Sequence, residues 1–300
     1  MKRVSLFVTF VLMAVVLLSL STVSAFASGE GSPPAAPSTG AGSSEPVSED
    51  ITVYWDIPYS DDGNEQKVLD LYLPEEDSFP TLIYFHGGGF SSGDKNETHA
   101  LGEYLVRHGI ALVSVNYSVG RDVQYPTYIL DAAESVKWTM DHIGEYGQCD
   151  KFYVGGSSAG AYLSQMLCFD KEYLGAYGIK PTDIAGYIHD SGQPTTHFAI
   201  LQSRGVNGDR VIIDEAAPLY YVGMDKEYAP MMILVATSDL GVRYDQTMLL
   251  VSTLKLFGVP EENINLKVME GGHCEHTFAK DENGESVMGK LCADYILKGE

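Results

Sequence analysis

Between residues 68 and 115 the chain changes its hydrophobic rhythm several times. Val68 to Leu73 alternates as a strand does, with side chains of period two. Leu82 to Phe85 is a short run without a polar break, and Ile110 to Val115 is another that carries β-branched residues, so both read as strands. Between them, Glu97 to His108 spaces Leu101, Tyr104 and Leu105 at three and four residues, which predicts a helix. The second half repeats the alternation. Strand 151–155 leads to helix 159–169, strand 184–189 to a helical stretch near 196–203, strand 231–236 to helix 243–257, and strand 264–269 to a last helix near 284–297. Strands alternating with helices imply right-handed crossovers, hence an α/β fold with a mostly parallel central sheet and helices on both faces. The stretch from Gly175 to Tyr221 is less regular and rich in Tyr, Pro and Gly, and is expected to form a small cap or loop region over the site.

The N-terminal part follows a different pattern. Lys2-Arg3 precedes a nearly unbroken apolar run from Val4 to Leu20, and Ala25-Phe26-Ala27 has the small-x-small form of a signal peptidase site. Residues 1–27 are therefore expected to be a signal peptide cleaved after Ala27, with an uncleaved membrane anchor as the rival, since the run approaches the roughly 18 residues that span a bilayer. Residues 28–50 are Gly, Ser, Pro, Ala and acid, with little to bury, and are expected to be a disordered linker. The folded domain is then 51–300, a length that suits one α/β domain.

A formal charge of −22 repels nucleic acid and anionic membrane surfaces, so neither is an expected partner, and no stable membrane insertion is expected once the leader is removed. The acids are scattered, as in a chain kept soluble by charge. Cys149, Cys168, Cys274 and Cys292 are even in number but too widely spaced for a disulfide scaffold, and their pairing stays open. Cys168 falls in an apolar helix pattern and reads as buried.

Two glycine-rich turns carry the chemistry. Gly156-Ser157-Ser158-Ala159-Gly160 follows the apolar run Lys151 to Val154 and precedes a helix. G-x-S-x-G in that context is a strand-to-helix elbow that exposes its serine, and only Ser158 has glycines two before and two after it. His86-Gly87-Gly88-Gly89 follows the run Leu82 to Phe85. Backbone N–H groups of Gly88, Gly89 and Ala159 can converge on a developing oxyanion with no side chain in the way. His86 precedes the nucleophile and reads as a brace for this turn.

A serine hydroxyl needs a base within hydrogen-bond reach and an acid to orient that base, and in this fold the order is Ser, acid, His. Asp239 follows the run Met231 to Ala236 and is the favoured acid; Asp190, after the strand Ile184 to His189, competes with it. Asp245 lies a turn into the next helix and reads as serving that helix's N-terminal end. For the base, His273 follows Gly271-Gly272 beyond the last strand, and His276 stands three residues on as an alternative. Two histidines three apart without convergent ligands do not make a metal site, so none is expected. His99, His108 and His142 fall in helix patterns, and His197 lies in the irregular stretch where it could touch substrate.

On these residues the chain resembles the alpha/beta-hydrolase carboxylesterases of the hormone-sensitive-lipase-like and feruloyl-esterase-like group, over most of residues 51 to 298. The resemblance implies Ser158 as nucleophile, Asp239 as acid, His273 as base, Gly88, Gly89 and Ala159 as oxyanion donors, and no cofactor. It implies a secreted serine esterase for short-chain acyl or acetyl esters, on small molecules or linked to polysaccharides. An amidase, peptidase or formamidase with the same triad, or a non-catalytic binding protein on the same scaffold, are the alternatives. One departure stands out: members of this family often carry His-Gly-Phe at the base, whereas here the segment is His273-Cys274-Glu275-His276-Thr277-Phe278.

Overall fold

The computed structural model describes Ser48, residues 50–225 and residues 227–299. The expected leader and nearly all of the expected linker lie outside the described residues. The strands are β1 (Thr52–Pro58), β2 (Val68–Leu73), β3 (Ser78–Phe85), β4 (Ala111–Val115), β5 (Gln148–Ser157), β6 (Gly186–Asp190), β7 (Met231–Ser238) and β8 (Ile264–Gly272). They form one sheet in the order β1-β2-β4-β3-β5-β6-β7-β8. β1 and β2 run antiparallel to their neighbours, and β3 to β8 pair in parallel. The connections carry α1 (His99–Val106), α2 (Thr127–His142), α3 (Ala159–Phe169), α4 (Lys171–Gly175), α5 (Phe198–Ser203), α6 (Pro218–Tyr221), α7 (Arg243–Leu256), α8 (Glu275–Phe278) and α9 (Val287–Lys298).

Two cores explain the unbroken apolar runs. Along β3, Ile83 and Phe85 join a cluster with Val136 of α2, Leu163 and Met166 of α3 and Leu250 and Leu254 of α7. Leu82 and Tyr84 point the other way, into a cluster with Leu101 and Leu105 of α1 and Met288, Cys292 and Ile296 of α9. A strand covered on both faces has no solvent side, so period two disappears from its sequence.

The structure adds β1, α2 and the short helices α4, α6 and α8 to the elements predicted. β1 is hidden in the sequence because its register shifts between Tyr54 and Ile57, where Asp56 takes φ 54°. An extra residue in a strand moves its later side chains to the opposite face and breaks the alternation. The four cysteines are free thiols, three buried and Cys149 half-buried. Among the described residues no helix is long and apolar enough to cross a membrane.

The parallel strands end at one rim, and all of them but β4 bring a candidate residue there: His86 after β3, Ser158 after β5, Asp190 closing β6, Asp239 after β7 and His273 after β8. Phe85 pairs with Gly156 across β3 and β5, so the two glycine turns are adjacent.

Candidate active site

The elbow is built by close approach. A Cβ on Gly160 would lie 2.0 Å from the carbonyl oxygen of Phe85, and one on Gly156 would lie 2.5 Å from the carbonyl carbon of Gly160. Only glycine lets β5, α3 and the end of β3 meet at this distance. Between them Ser158 adopts φ 53° and ψ −111°, a conformation that costs about 1–3 kcal/mol and projects the hydroxyl from the turn. The Ser158 N–H donates to the Asp190 carbonyl at 2.8 Å, which ties the elbow to the end of β6.

The second turn lies against it. A Cβ on Gly87 would sit 3.4 Å from the Ser158 Cβ. Gly88 has φ 101°, and its carbonyl accepts from the N–H groups of Ser91 and Ser92, so the turn closes on itself. Ala159 opens α3, where the first amides have no intrahelical acceptor and the helix dipole favours negative charge. His86 is buried, donates Nδ1–H to the Gly87 carbonyl at 2.8 Å, and stacks on Tyr117 at 4.4 Å. Tyr117 Oη donates to the His86 carbonyl at 2.8 Å. Burial holds the His86 imidazole below its usual pKa, so it is a neutral brace.

Ser158, His273 and Asp239 form one hydrogen-bonded line. Ser158 Oγ–H donates to His273 Nε2 at 2.8 Å, and His273 Nδ1–H donates to Asp239 Oδ1 at 2.6 Å. The His273 side chain is 16% exposed and that of Asp239 is fully buried. Burial alone would raise the Asp239 pKa. The bond from His273, its charge, and the Leu240 N–H at 2.7 Å outweigh it and hold the carboxyl below its usual range.

The alternatives Asp190 and His276 are not in this line but are bonded to each other: His276 Nε2–H donates to Asp190 Oδ1 at 2.7 Å. His197 is buried and caps α5, with its Nδ1 accepting from the Ala199 N–H. It contacts Phe90, Tyr162 and Phe198, and burial drives its pKa well down. His197 therefore supports the wall of the site as a neutral ring. Its neighbour Phe198 comes against Gly89, with the ring 3.0 Å from where a Cβ would stand, so the β6–β7 connection reaches the turn of Gly88 and Gly89.

Arg243 is a residue that the sequence reading missed. It is buried at the start of α7, donates to the Ser191 carbonyl at 2.6 Å and to Gln193 Oε1 at 3.2 Å, and its charge adds to those lowering the Asp239 pKa. A cation at a helix N-terminus opposes the dipole, and that mismatch was the available signal.

The BD-FAE family model matches residues 69–175, which include both glycine turns. Esterase LipQ of Mycobacterium tuberculosis is 27% identical over 207 residues, covering 61% of this chain and 48% of that protein. Probable carboxylesterase 7 of Arabidopsis thaliana is 27% identical over 270 residues, covering 79% of this chain and 84% of that protein. The chain is similar to the alpha/beta-hydrolase carboxylesterases in sequence and in fold. It spans about half the length of LipQ. A truncated carbohydrate esterase from gut microbiota superposes on this fold with a TM-score of 0.65 at 18% identity, covering 83% of this chain and 97% of that one.

Proposed function

We propose that this chain is a serine esterase that hydrolyses carboxylic esters, short-chain acyl or acetyl esters in particular, through an acyl-enzyme on Ser158. The observation that carries the reading is the line from Ser158 Oγ through His273 to Asp239, beside the turn of Gly88 and Gly89. As Ser158 Oγ bonds to the ester carbonyl carbon, His273 Nε2 takes its proton and the carbonyl electron pair moves onto oxygen. The N–H groups of Gly88, Gly89 and Ala159 receive that oxyanion. The buried Asp239 carboxylate stabilises the imidazolium and keeps Nε2 facing the serine. The tetrahedral species collapses, the carbon–oxygen bond to the alcohol breaks, and His273 gives its proton to the departing oxygen. Water then attacks the acyl-enzyme with His273 again as base, which releases the acid and restores Ser158. These steps need no cofactor.

Small-molecule or polysaccharide-linked esters are the substrates we infer, supported by the esterase names of the relatives and by the likeness to a carbohydrate esterase. Export rests on the Lys2-Arg3 start, the apolar run and Ala25-Phe26-Ala27. A p-nitrophenyl ester series from acetate upward tests the activity, with turnover expected to be highest on short chains and lost in Ser158→Ala. Wild-type turnover in Ser158→Ala would overturn the serine mechanism, and release of p-nitroaniline from anilides without ester turnover would point to an amidase.

A further inference from the structure

His276 and Asp190 have the residue types of a catalytic dyad, stand in the required chain order, and lie beside the nucleophile, yet they are turned away from it. The Asp190 carboxylate is fully buried and the His276 side chain is 4% exposed. Three donors converge on the carboxylate: His276 Nε2–H on Oδ1 at 2.7 Å, Ser191 Oγ–H on Oδ1 at 3.1 Å, and Thr277 Oγ1–H on Oδ2 at 2.5 Å. The same residue's carbonyl accepts the Ser158 N–H at 2.8 Å. Asp190 therefore holds the nucleophile by its backbone and the segment after the base by its side chain.

That segment needs a fixed point. His273 stands between the end of β8 at Gly272 and Cys274, whose φ of 56° turns the chain sharply into the single turn of α8. Gly271, at φ 113°, adds a second permissive joint before it. The base thus sits on a short turn directly after the two glycines that close β8, and His276 and Thr277, which hydrogen-bond Asp190, lie in α8 immediately downstream. Ser158 itself is strained at φ 53°. The approach of His273 Nε2 to Ser158 Oγ depends on both pieces being held to one support.

We propose that Asp190, His276 and Thr277 form a positioning clamp that sets the distance and angle between Ser158 and His273; the inference rests on the esterase reading for its rate assay. None of the three touches the reacting atoms. A misplacement near 1 Å in such a relay costs about 10²-fold in rate. The clamp should act on the chemical step more than on substrate binding. His276→Leu is expected to lower kcat on p-nitrophenyl acetate by roughly 10- to 100-fold with KM changed less than about twofold. His276→Gln puts an amide N–H near the Nε2 position and is expected to recover most of the lost rate.

The test measures kcat, KM and the rate constant for phosphonylation of Ser158 by a fluorophosphonate on purified wild type, His276→Leu, His276→Gln and Thr277→Val, with circular dichroism for folding. Phosphonylation reports serine activation whatever the natural substrate. A wild type that is phosphonylated but turns over no ester would end the esterase reading while leaving the clamp to be judged on phosphonylation. Slowed kcat and phosphonylation in His276→Leu, near-unchanged KM and rescue by Gln support the clamp. Wild-type rates in folded His276→Leu, or a Gln variant as slow as Leu, overturn it. If His276→Leu does not fold, Thr277→Val decides: a drop of roughly 3- to 10-fold supports the clamp and wild-type rates overturn it. A wild-type Ser158 that resists phosphonylation also overturns it, because no aligned relay would then exist to be held.

Discussion

Among the described residues, His273 with Asp239 and His276 with Asp190 form two histidine–aspartate pairs whose histidines are three residues apart, and they differ in what each histidine leaves free. His273 bonds Asp239 through Nδ1 and turns Nε2 to Ser158, at a partly exposed position that a substrate can reach. His276 bonds Asp190 through Nε2, is nearly sealed from solvent, and its Nδ1 has no hydrogen-bond partner among the described residues. The comparison teaches that a dyad is recognised by which nitrogen remains available and where it points, and that residue type and chain order alone do not decide it.

The largest effect that would break the comparison lies at the exposed pair. His273→Ala is expected to lower kcat/KM on p-nitrophenyl acetate by about 10⁴-fold, with a smaller loss of stability in urea unfolding than His276→Leu, because Asp239 keeps the Leu240 N–H bond and the nearby Arg243 charge. An active His273→Ala beside a dead, folded His276→Ala would reverse the assignment of the two histidines.

Stability should show the opposite ranking. His276→Leu leaves the Asp190 carboxylate buried without its strongest partner, and such a deletion typically costs about 3–5 kcal/mol. The double variant Asp190→Leu/His276→Leu removes both polar groups together and should be less destabilised than the sum of the singles. Additive losses in denaturant midpoints would mean the pair is not coupled.

A smaller effect separates the pairs by pH. Burial alone would lower the His276 pKa, but the bond to Asp190, the Asp190 charge and the Asp239 charge raise it above its usual value. Its contribution to stability is complete below an unfolded pKa of about 6.5 and is lost as pH rises through the raised folded value. The lowered Asp239 carboxyl acts in the opposite direction, contributing above its unfolded pKa of about 3.9 and losing that contribution as pH falls through the folded value. Urea unfolding from pH 3 to 9 should show both limbs, with the alkaline limb removed in the Asp190→Leu/His276→Leu double variant.

Much of this arrangement was legible in the residues, and the reasons are local. Gly156 and Gly160 announce the elbow because backbone contact there excludes any side chain, a demand that falls on fixed positions around Ser158. The parallel strands β3 to β7 show as apolar runs because both faces are covered. β1 did not show, since its register shift at Asp56 scrambles the alternation. Asp190 competed with the favoured Asp239 because both follow apolar strands and end at the same rim. Their separation depends on β7 lying between β6 and β8, which brings Asp239 to His273 at the edge and leaves Asp190 buried beneath α8. Arg243 was legible only as a cation at the wrong end of a helix, and its bonds to Ser191 and Gln193 come from another strand's loop.

The account turns on a covalent intermediate at one residue. Acid-quenching the protein during turnover of p-nitrophenyl acetate and mapping the added acetyl group by peptide mass spectrometry tests it directly. The account predicts the acetyl on Ser158 in wild type and its absence in Ser158→Ala and His273→Ala. An acetyl group turning over on a different residue, or undiminished acetylation of Ser158 in His273→Ala, would contradict it.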